Sequence, residues 1–221
     1  MVHVLLLTTS LISALISYLT GLVFFISFLK EHKSNRFIWG IAFILYAIGH
    51  TIQAVIALIT IDAASYVTWM WIYVNLGGAG TTGLVFYSTI PFITEKKYIR
   101  EIATGIFMGL YIIVSFLLAF VLPPENPLVF LLIGKTGTQL GNMSWWVVEC
   151  LIPVSFFIGF VFLRHYKTSG TVWGLLIGLS FIIYAIILFI WPIPELKPIF
   201  YIIRTISVGL LGIGGVLLAR E

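Results

Sequence analysis

The feature that most constrains this chain is a series of apolar segments with few or no charged residues, each about as long as a membrane-spanning helix. The first runs from Val4 to Leu29 without a charged residue. About 20 apolar residues in helical conformation cross the hydrocarbon core of a bilayer. A soluble fold could not bury a chain in which 61% of the residues are hydrophobic and 9% are charged. We therefore expect an all-α, polytopic integral membrane protein.

The 221 residues leave room for seven such spans and short connectors. The predicted spans are Val4–Leu29, Phe37–Ile59, Tyr66–Thr94, Ile99–Leu122, Met143–Leu163, Thr171–Trp191 and Ile199–Leu218. In the longest connector, Leu128–Ile133 and the turn Gly134–Gly137 predict a small hairpin over one mouth of the bundle. No room remains for a soluble catalytic or signalling domain, and we expect no enzyme activity.

The basic residues predict the orientation of the chain in the membrane. Most connectors on one side of the spans are basic, and those on the other side carry only Lys135 and Lys197. The basic side holds Lys30, Lys33, Arg36, Lys96, Lys97, Arg100, Arg164, Lys167 and Arg220. Because Lys and Arg favour the cytoplasmic side, we expect the N-terminus outside and the C-terminus in the cytoplasm of a plasma membrane protein. The net charge of +4 therefore predicts no nucleic-acid partner.

Two stretches of the sequence resemble each other and indicate an internal repeat. Phe28–Gly40 reads FLKEHKSNRFIWG, and Phe162–Gly174 reads FLRHYKTSGTVWG. In the same ungapped register, Gly78–Gly80 aligns with Gly212–Gly214. A duplication of three helices around a linker helix places the two triplets in the same orientation. The natural place for a binding site is the space between them.

This duplication divides the chain into four parts. They are a first three-helix unit (residues 1–94), a linker helix (95–122), an outer loop with the possible hairpin (123–142) and a second three-helix unit (143–221).

Polar side chains deep in the spans are the candidate site residues, because each costs several kcal/mol in lipid unless it is paired or faces water. His50, Asn75, Glu149 and Arg204 lie at similar depth from the outer ends of their spans. We expect Glu149 and Arg204 to pair, either as a buried salt bridge that fixes helix packing or as a counter-ion pair in a polar pocket. In the second case Arg204 meets an anionic group of a solute.

Other residues either extend this pocket or serve packing. The neighbouring polar positions are Thr51, Gln53, Ser144, Thr205 and Ser207. His50 could be bonded to a backbone carbonyl, and Asn75 could join helices instead of binding a solute. No histidine pair or cluster with metal-ligand spacing is present, so the sequence predicts no cofactor and no metal.

The architecture of a triplet, a linker and a second triplet resembles the group that includes the SWEET sugar facilitators, the PQ-loop carriers and the microbial rhodopsins. The resemblance implies parallel triplets with a solute site between them. Of the prolines and the third-helix asparagine typical of SWEET proteins, Pro153 and Asn75 are present, and the repeat partner of Asn75 is Gly209. The seventh span has no lysine for a retinal Schiff base.

A second, local resemblance carries a different function. Gly40–His50 (GIAFILYAIGH) followed by Trp69–Gly77 (WMWIYVNLG) is similar to the seven-helix sensor regions of prokaryotic histidine kinases. That resemblance implies a sensor, and because the chain stops at Glu221, it implies a separate cytoplasmic partner.

Three non-enzymatic hypotheses for the function therefore stay open. The protein is a transporter or receptor for a small polar or anionic solute, a sensor module, or an accessory subunit of a larger membrane complex. A membrane enzyme whose chemistry needs few residues is a fourth alternative. Its expected partners are the bilayer, the solute, and either further copies of itself or other membrane subunits.

Overall fold

The computed structural model describes residues 2–59, 62–135 and 137–221, and these residues form helices and no strand. The α-helices are α1 (Val2–Glu31), α2 (Ser34–Leu58), α3 (Ala63–Val74), α4 (Thr81–Thr89), α5 (Lys97–Phe116), α6 (Pro127–Ile133), α7 (Gln139–Ser169), α8 (Val172–Leu188) and α9 (Lys197–Arg220). Two π-helical segments, Asn75–Gly80 and Leu117–Val121, follow α3 and α5, and two short 3₁₀ segments are Ile90–Phe92 and Pro194–Leu196. The expectation of an all-α protein is confirmed.

Several helices have the length and composition of membrane spans. Five segments qualify, namely Val4–Glu31, Ser34–Leu58, Lys97–Val121, Gln139–Ser169 and Pro194–Arg220. Helix α8 is apolar but shorter, with 17 residues. The third predicted span, Tyr66–Thr94, overlaps residues 63–92. These residues are helical throughout, but the helix changes from α to π, back to α and then to 3₁₀. The chain is therefore a multi-pass membrane protein.

The connector between α5 and α7 contains a short helix where the sequence predicted a hairpin. Helix α6 starts with the side chain of Asn126, which accepts a hydrogen bond from the Leu128 amide at 2.9 Å, and with Pro127 in the first turn. It ends at Gly134, which is left-handed with φ 66°. Asn, Pro and Gly in this order are helix boundary signals, and here they outweigh the β-propensity of the run. Thr136 of the predicted turn lies outside the described residues.

Successive spans run antiparallel and close into a ring, in which α1 lies parallel to α9 and α4 lies parallel to α7. Gly21 packs against Ile44 and Gly40 against Phe25, so α2 runs back along α1. Going round the ring, α1 contacts α2, α2 contacts α3 and α4, α4 contacts α7, α7 contacts α8, α8 contacts α9, and α9 returns to α1. Helix α5 packs against α4, the segment Asn75–Gly80 and α7. Up-and-down helices place all the basic turns at one end of the bundle, called here the basic end.

Glycines allow close approach between helices in the segment Asn75–Gly80 and in α9. Gly78 lies against α5 and α7, and Gly80 lies against α2. Gly212 lies against α1, and Gly214 lies against α8. Because the contact of Gly78 with α5 has no counterpart at Gly212, the internal repeat stays a prediction.

The basic end is filled by a cluster of aromatic side chains from both halves. Trp39 stacks near Phe24 and meets Phe162 edge-on, with ring centroids 5.7 and 6.1 Å apart. The full aromatic cluster is Phe24, Trp39, Phe43, Phe162, Trp173 and Phe181. These rings close the interior of the bundle at this end.

Candidate functional site

Arg204 is the largest fully buried side chain of the described residues, with 1% of its surface exposed. Its Nη1 donates to Gln53 Oε1 at 2.6 Å and to the Tyr73 hydroxyl at 3.1 Å, and its Nη2 contacts Ser10 Oγ at 3.4 Å. The Ser10 hydroxyl in turn donates to Gln53 Oε1 at 2.9 Å. Arg204 lies on α9, and its three partners lie on α1, α2 and α3. The guanidinium therefore joins the last helix of the chain to the first three.

Arg204 has no carboxylate partner within the part of the chain that the structure describes. The ion pairs there are Lys33–Glu31, Arg36–Glu31 and Lys97–Glu101, all at the basic end. The rings of Phe200 and Tyr201 lie 5.6 and 5.4 Å from the guanidinium carbon and give partial compensation. A buried charge without a counter-ion is expensive, with a residual desolvation cost of several kcal/mol. This arrangement favours binding of a negatively charged group beside Arg204.

The predicted ion pair between Glu149 and Arg204 is wrong. Glu149 is exposed on the outer face of α7, whereas Arg204 is buried. On the same turn of α7, it is Val147 and Val148 that face the core. Similar depth along two helices does not place two side chains together, because each residue turns the helix face by about 100°.

His50 is completely buried beside the arginine cluster. Its ring centroid lies 4.4 Å from that of Tyr46 and 6.1 Å from that of Tyr73. Neither ring nitrogen has a hydrogen-bond partner among the described residues. His50 and Gln53 are three residues apart on α2 and share one face. His50 therefore lies one side chain away from Arg204, through Gln53 and Tyr73, and the bond to a carbonyl that the sequence suggested is not formed among the described residues. Its role in ligand binding stays a prediction.

Asn75 and Thr205 face other helices. The Asn75 amide donates to the Trp71 carbonyl at 2.8 Å and to Ser115 Oγ on α5 at 3.3 Å. Thr205 donates to the Tyr201 carbonyl at 2.9 Å and lies 3.4 Å from Ser13 Oγ on α1. Both contacts join helices, and neither brings its residue to the guanidinium of Arg204.

A vestibule opens at the end of the bundle opposite the basic end. It has a cavity volume of about 290 Å³, and its walls include Gln53, Ser144, Trp191, Lys197 and Tyr201. Ser144, predicted to extend the pocket, therefore lies in the vestibule. Aromatic and polar side chains in one wall suit a small organic molecule with a polar group.

Two smaller voids continue the vestibule towards the basic end. Each has a volume of about 20 Å³, which is enough for about one water molecule. Tyr46, Gly77 and Tyr184 line both voids. The deeper void ends at Phe181, a member of the aromatic cluster. Predicted pocket residue Ser207 lies in its wall and exchanges hydrogen bonds with Ser180.

Arg204 lies between the vestibule and the first void. Two of its contacts, Gln53 and Tyr201, are in the vestibule wall. Two others, Tyr73 and Phe200, are in the wall of the void. The side chains of Gln53 and Tyr201 therefore lie between the vestibule and the guanidinium.

Ser10 and Tyr73 are site residues that the sequence reasoning missed. The signal for Ser10 was present, because α1 carries buried small polar residues at helical spacing, namely Ser10, Ser13, Ser17 and Thr20. Such a stripe in an otherwise apolar helix marks the face that meets other polar groups. For Tyr73 the only signal is indirect. Tyr46, His50 and Gln53 form a polar stripe on α2 like the one on α1, and such a stripe predicts polar partners on neighbouring helices. Within the described residues, no group of three His, Cys, Asp or Glu side chains could hold a metal ion.

Comparison of the chain with protein-family models, with curated proteins and with solved structures finds no match in any of the three.

Proposed function

We propose that this protein is a seven-span carrier that binds a small anionic solute between two like-oriented helix triplets and moves it across the membrane. The observation that carries the proposal is the buried guanidinium of Arg204, which has only neutral partners among the described residues. A bound anion would supply the missing negative charge.

The free edge of Arg204 suits an oxyanion. Its Nη1 donates to Gln53 and Tyr73. In the part of the chain that the structure describes, Nε has no partner and Nη2 has only the long contact with Ser10. Parallel donors on one guanidinium edge bind carboxylates and similar groups through two hydrogen bonds. The vestibule volume of about 290 Å³ limits the solute to a small organic acid or an inorganic oxyanion.

The closed basic end and the open opposite end support movement by alternating access. The vestibule and voids form an interrupted path that stops at the aromatic cluster. Arg36 on α2 reinforces this closure, since it donates to the Ala219 carbonyl at the end of α9 and to Ser27. A carrier of this kind would release its solute when the triplets rock and these contacts separate. By the distribution of Lys and Arg, the vestibule faces outward and the N-terminus lies outside.

The segment Asn75–Gly80 offers a place for this movement. It is π-helical and rich in glycine, and π-helical segments inside helices are frequent at functional sites. It also lies against both neighbouring elements that would have to move, α2 and α5.

Uptake by proteoliposomes tests the proposal. Radiolabelled methanesulfonate is a suitable probe, because it is a small oxyanion that crosses lipid poorly and carries no titratable proton near neutral pH. We expect saturable uptake by the wild-type protein and loss of uptake in Arg204→Gln. The control is Arg220→Gln, the same change at an exposed cation on the same helix, and it should keep the wild-type rate.

The outcome also separates the competing hypotheses. Absence of uptake for methanesulfonate, nitrate and lactate would contradict the carrier. If these anions bind without uptake, the protein is a receptor or sensor. If none binds and Arg204→Gln behaves as the wild type, the arginine cluster only holds helices together, as in an accessory subunit.

A further inference from the structure

His50 is a buried titratable group that the anion site leaves unused. It is 0% exposed, and neither ring nitrogen has a hydrogen-bond partner within the described residues. Its neighbours are Tyr46 and Gln53 on its own helix and Tyr73 on α3. Gln53 and the Tyr73 hydroxyl both accept hydrogen bonds from Arg204 on α9. Arg204 is therefore a charged group that lies one side chain away from His50.

The free-energy cost of protonating His50 depends on whether an anion is bound to Arg204. With the site empty, protonation would put a second positive charge beside Arg204 in a medium of low effective dielectric. With an anion on Arg204, the same proton would meet a compensated pair. By linkage, each ligand then strengthens the binding of the other by the same factor.

We propose that the site binds one proton on His50 together with one anion on Arg204, so that the carrier is a proton–anion symporter. The inference rests on the proposed function of Arg204 as the anion site. The proton comes from water, forms an N–H bond with one ring nitrogen of His50, and returns to water on the other side when the anion leaves. No other bond is made or broken.

The surroundings of His50 give the proton a route. Tyr46 and Tyr73, whose rings flank His50, both line the first void. That void accommodates about one water molecule, and it lies directly behind the vestibule. A monovalent anion and a proton cross as a neutral pair, which lowers the electrostatic barrier to their passage through the bilayer.

Proton uptake on anion binding tests the symport directly in the purified full chain. Methanesulfonate is added to wild-type protein in weakly buffered solution with a pH indicator, and binding is measured in parallel by calorimetry. We expect about one proton taken up per anion bound while His50 is neutral in the empty site. We also expect the anion affinity to rise up to tenfold for each unit by which the pH falls.

His50→Gln should bind methanesulfonate without proton uptake and with an affinity independent of pH, whereas the control His165→Gln should match the wild type. Should His50→Gln fail to fold, calorimetry of the wild type in two buffers of different ionisation enthalpy gives the proton number alone. Anion binding without proton uptake would overturn the symport and leave the anion site intact. No anion binding by the wild type would overturn the anion site and the symport with it.

Discussion

Gln53→Leu is expected to destabilise the protein more than Arg204→Leu, although the arginine carries the charge. Gln53 Oε1 accepts hydrogen bonds from Arg204 at 2.6 Å and from Ser10 at 2.9 Å. Its removal leaves a buried cation without its shortest hydrogen bond and a buried hydroxyl without its acceptor. A lost bond to a charged group and an unsatisfied hydroxyl together cost about 3 kcal/mol.

Arg204→Leu removes hydrogen bonds as well, but it also removes the buried charge. Tyr73 loses one partner, at about 1 kcal/mol, while Gln53 keeps its bond with Ser10. The desolvation cost of the uncompensated cation, several kcal/mol, disappears at the same time. The free energy of unfolding should therefore stay near the wild-type value or rise. The double variant should be more stable than Gln53→Leu alone.

Thermal unfolding followed by tryptophan fluorescence measures these changes, in a zwitterionic buffer without small anions. For Gln53→Leu, about 3 kcal/mol corresponds to a Tm lowered by roughly 6–12 °C. Arg220→Leu is the control, because an exposed substitution should change stability by less than about 0.5 kcal/mol. A double variant no more stable than Gln53→Leu would refute the claim that Arg204 is an uncompensated charge.

Three further changes test other parts of the structure. Gly78→Ala would place a Cβ 2.5 Å from the Tyr111 hydroxyl, which donates to the Val74 carbonyl. We expect thermal unfolding to show a loss of stability of about 1–3 kcal/mol. The control Gly105→Ala has open space around it and should be neutral or stabilising by up to about 1 kcal/mol. Arg36→Gln should loosen the end of α9, seen as faster hydrogen exchange in residues 216–221, and unchanged exchange there would contradict its role in closing the basic end. Hydrogen bonds from Ser65 lower the pKa of Asp62 at the start of α3. The contribution of Asp62 to stability is therefore present above the unfolded-state pKa and is lost as the pH falls through the lowered folded-state pKa. Asp62→Ala should remove this part of the acid dependence of Tm.

Hydropathy predicted the helices well, because in lipid every backbone polar group must be bonded within its own segment and only length and polarity matter. It could not predict which polar residues meet. Glu149 and Arg204 lie at similar depth, but the phase of α7 turns Glu149 outward. On α1 and α2, polar residues at helical spacing show which face of each helix is polar, and Ser10 and Gln53 lie on those faces.

Two other features could not be predicted from hydropathy. Helix α6 is set by the capping of Asn126 and the left-handed Gly134, which compete with the β-propensity of the apolar run between them. The π-helical segment Asn75–Gly80 begins next to a contact between helices, in which the Tyr111 hydroxyl donates to the Val74 carbonyl, and such a contact is not visible in the sequence. The glycines of the sequence mark the position of this segment but not its conformation.

Calorimetric titration of the purified protein with formate tests most directly whether Arg204 binds an anion between the two halves. Formate is small enough for the guanidinium edge and presents two oxygens to it. We predict one formate bound per chain in the wild type and in Arg220→Gln, and none in a folded Arg204→Gln. Equal formate binding by Arg204→Gln and the wild type, or no binding by the wild type, would contradict the account.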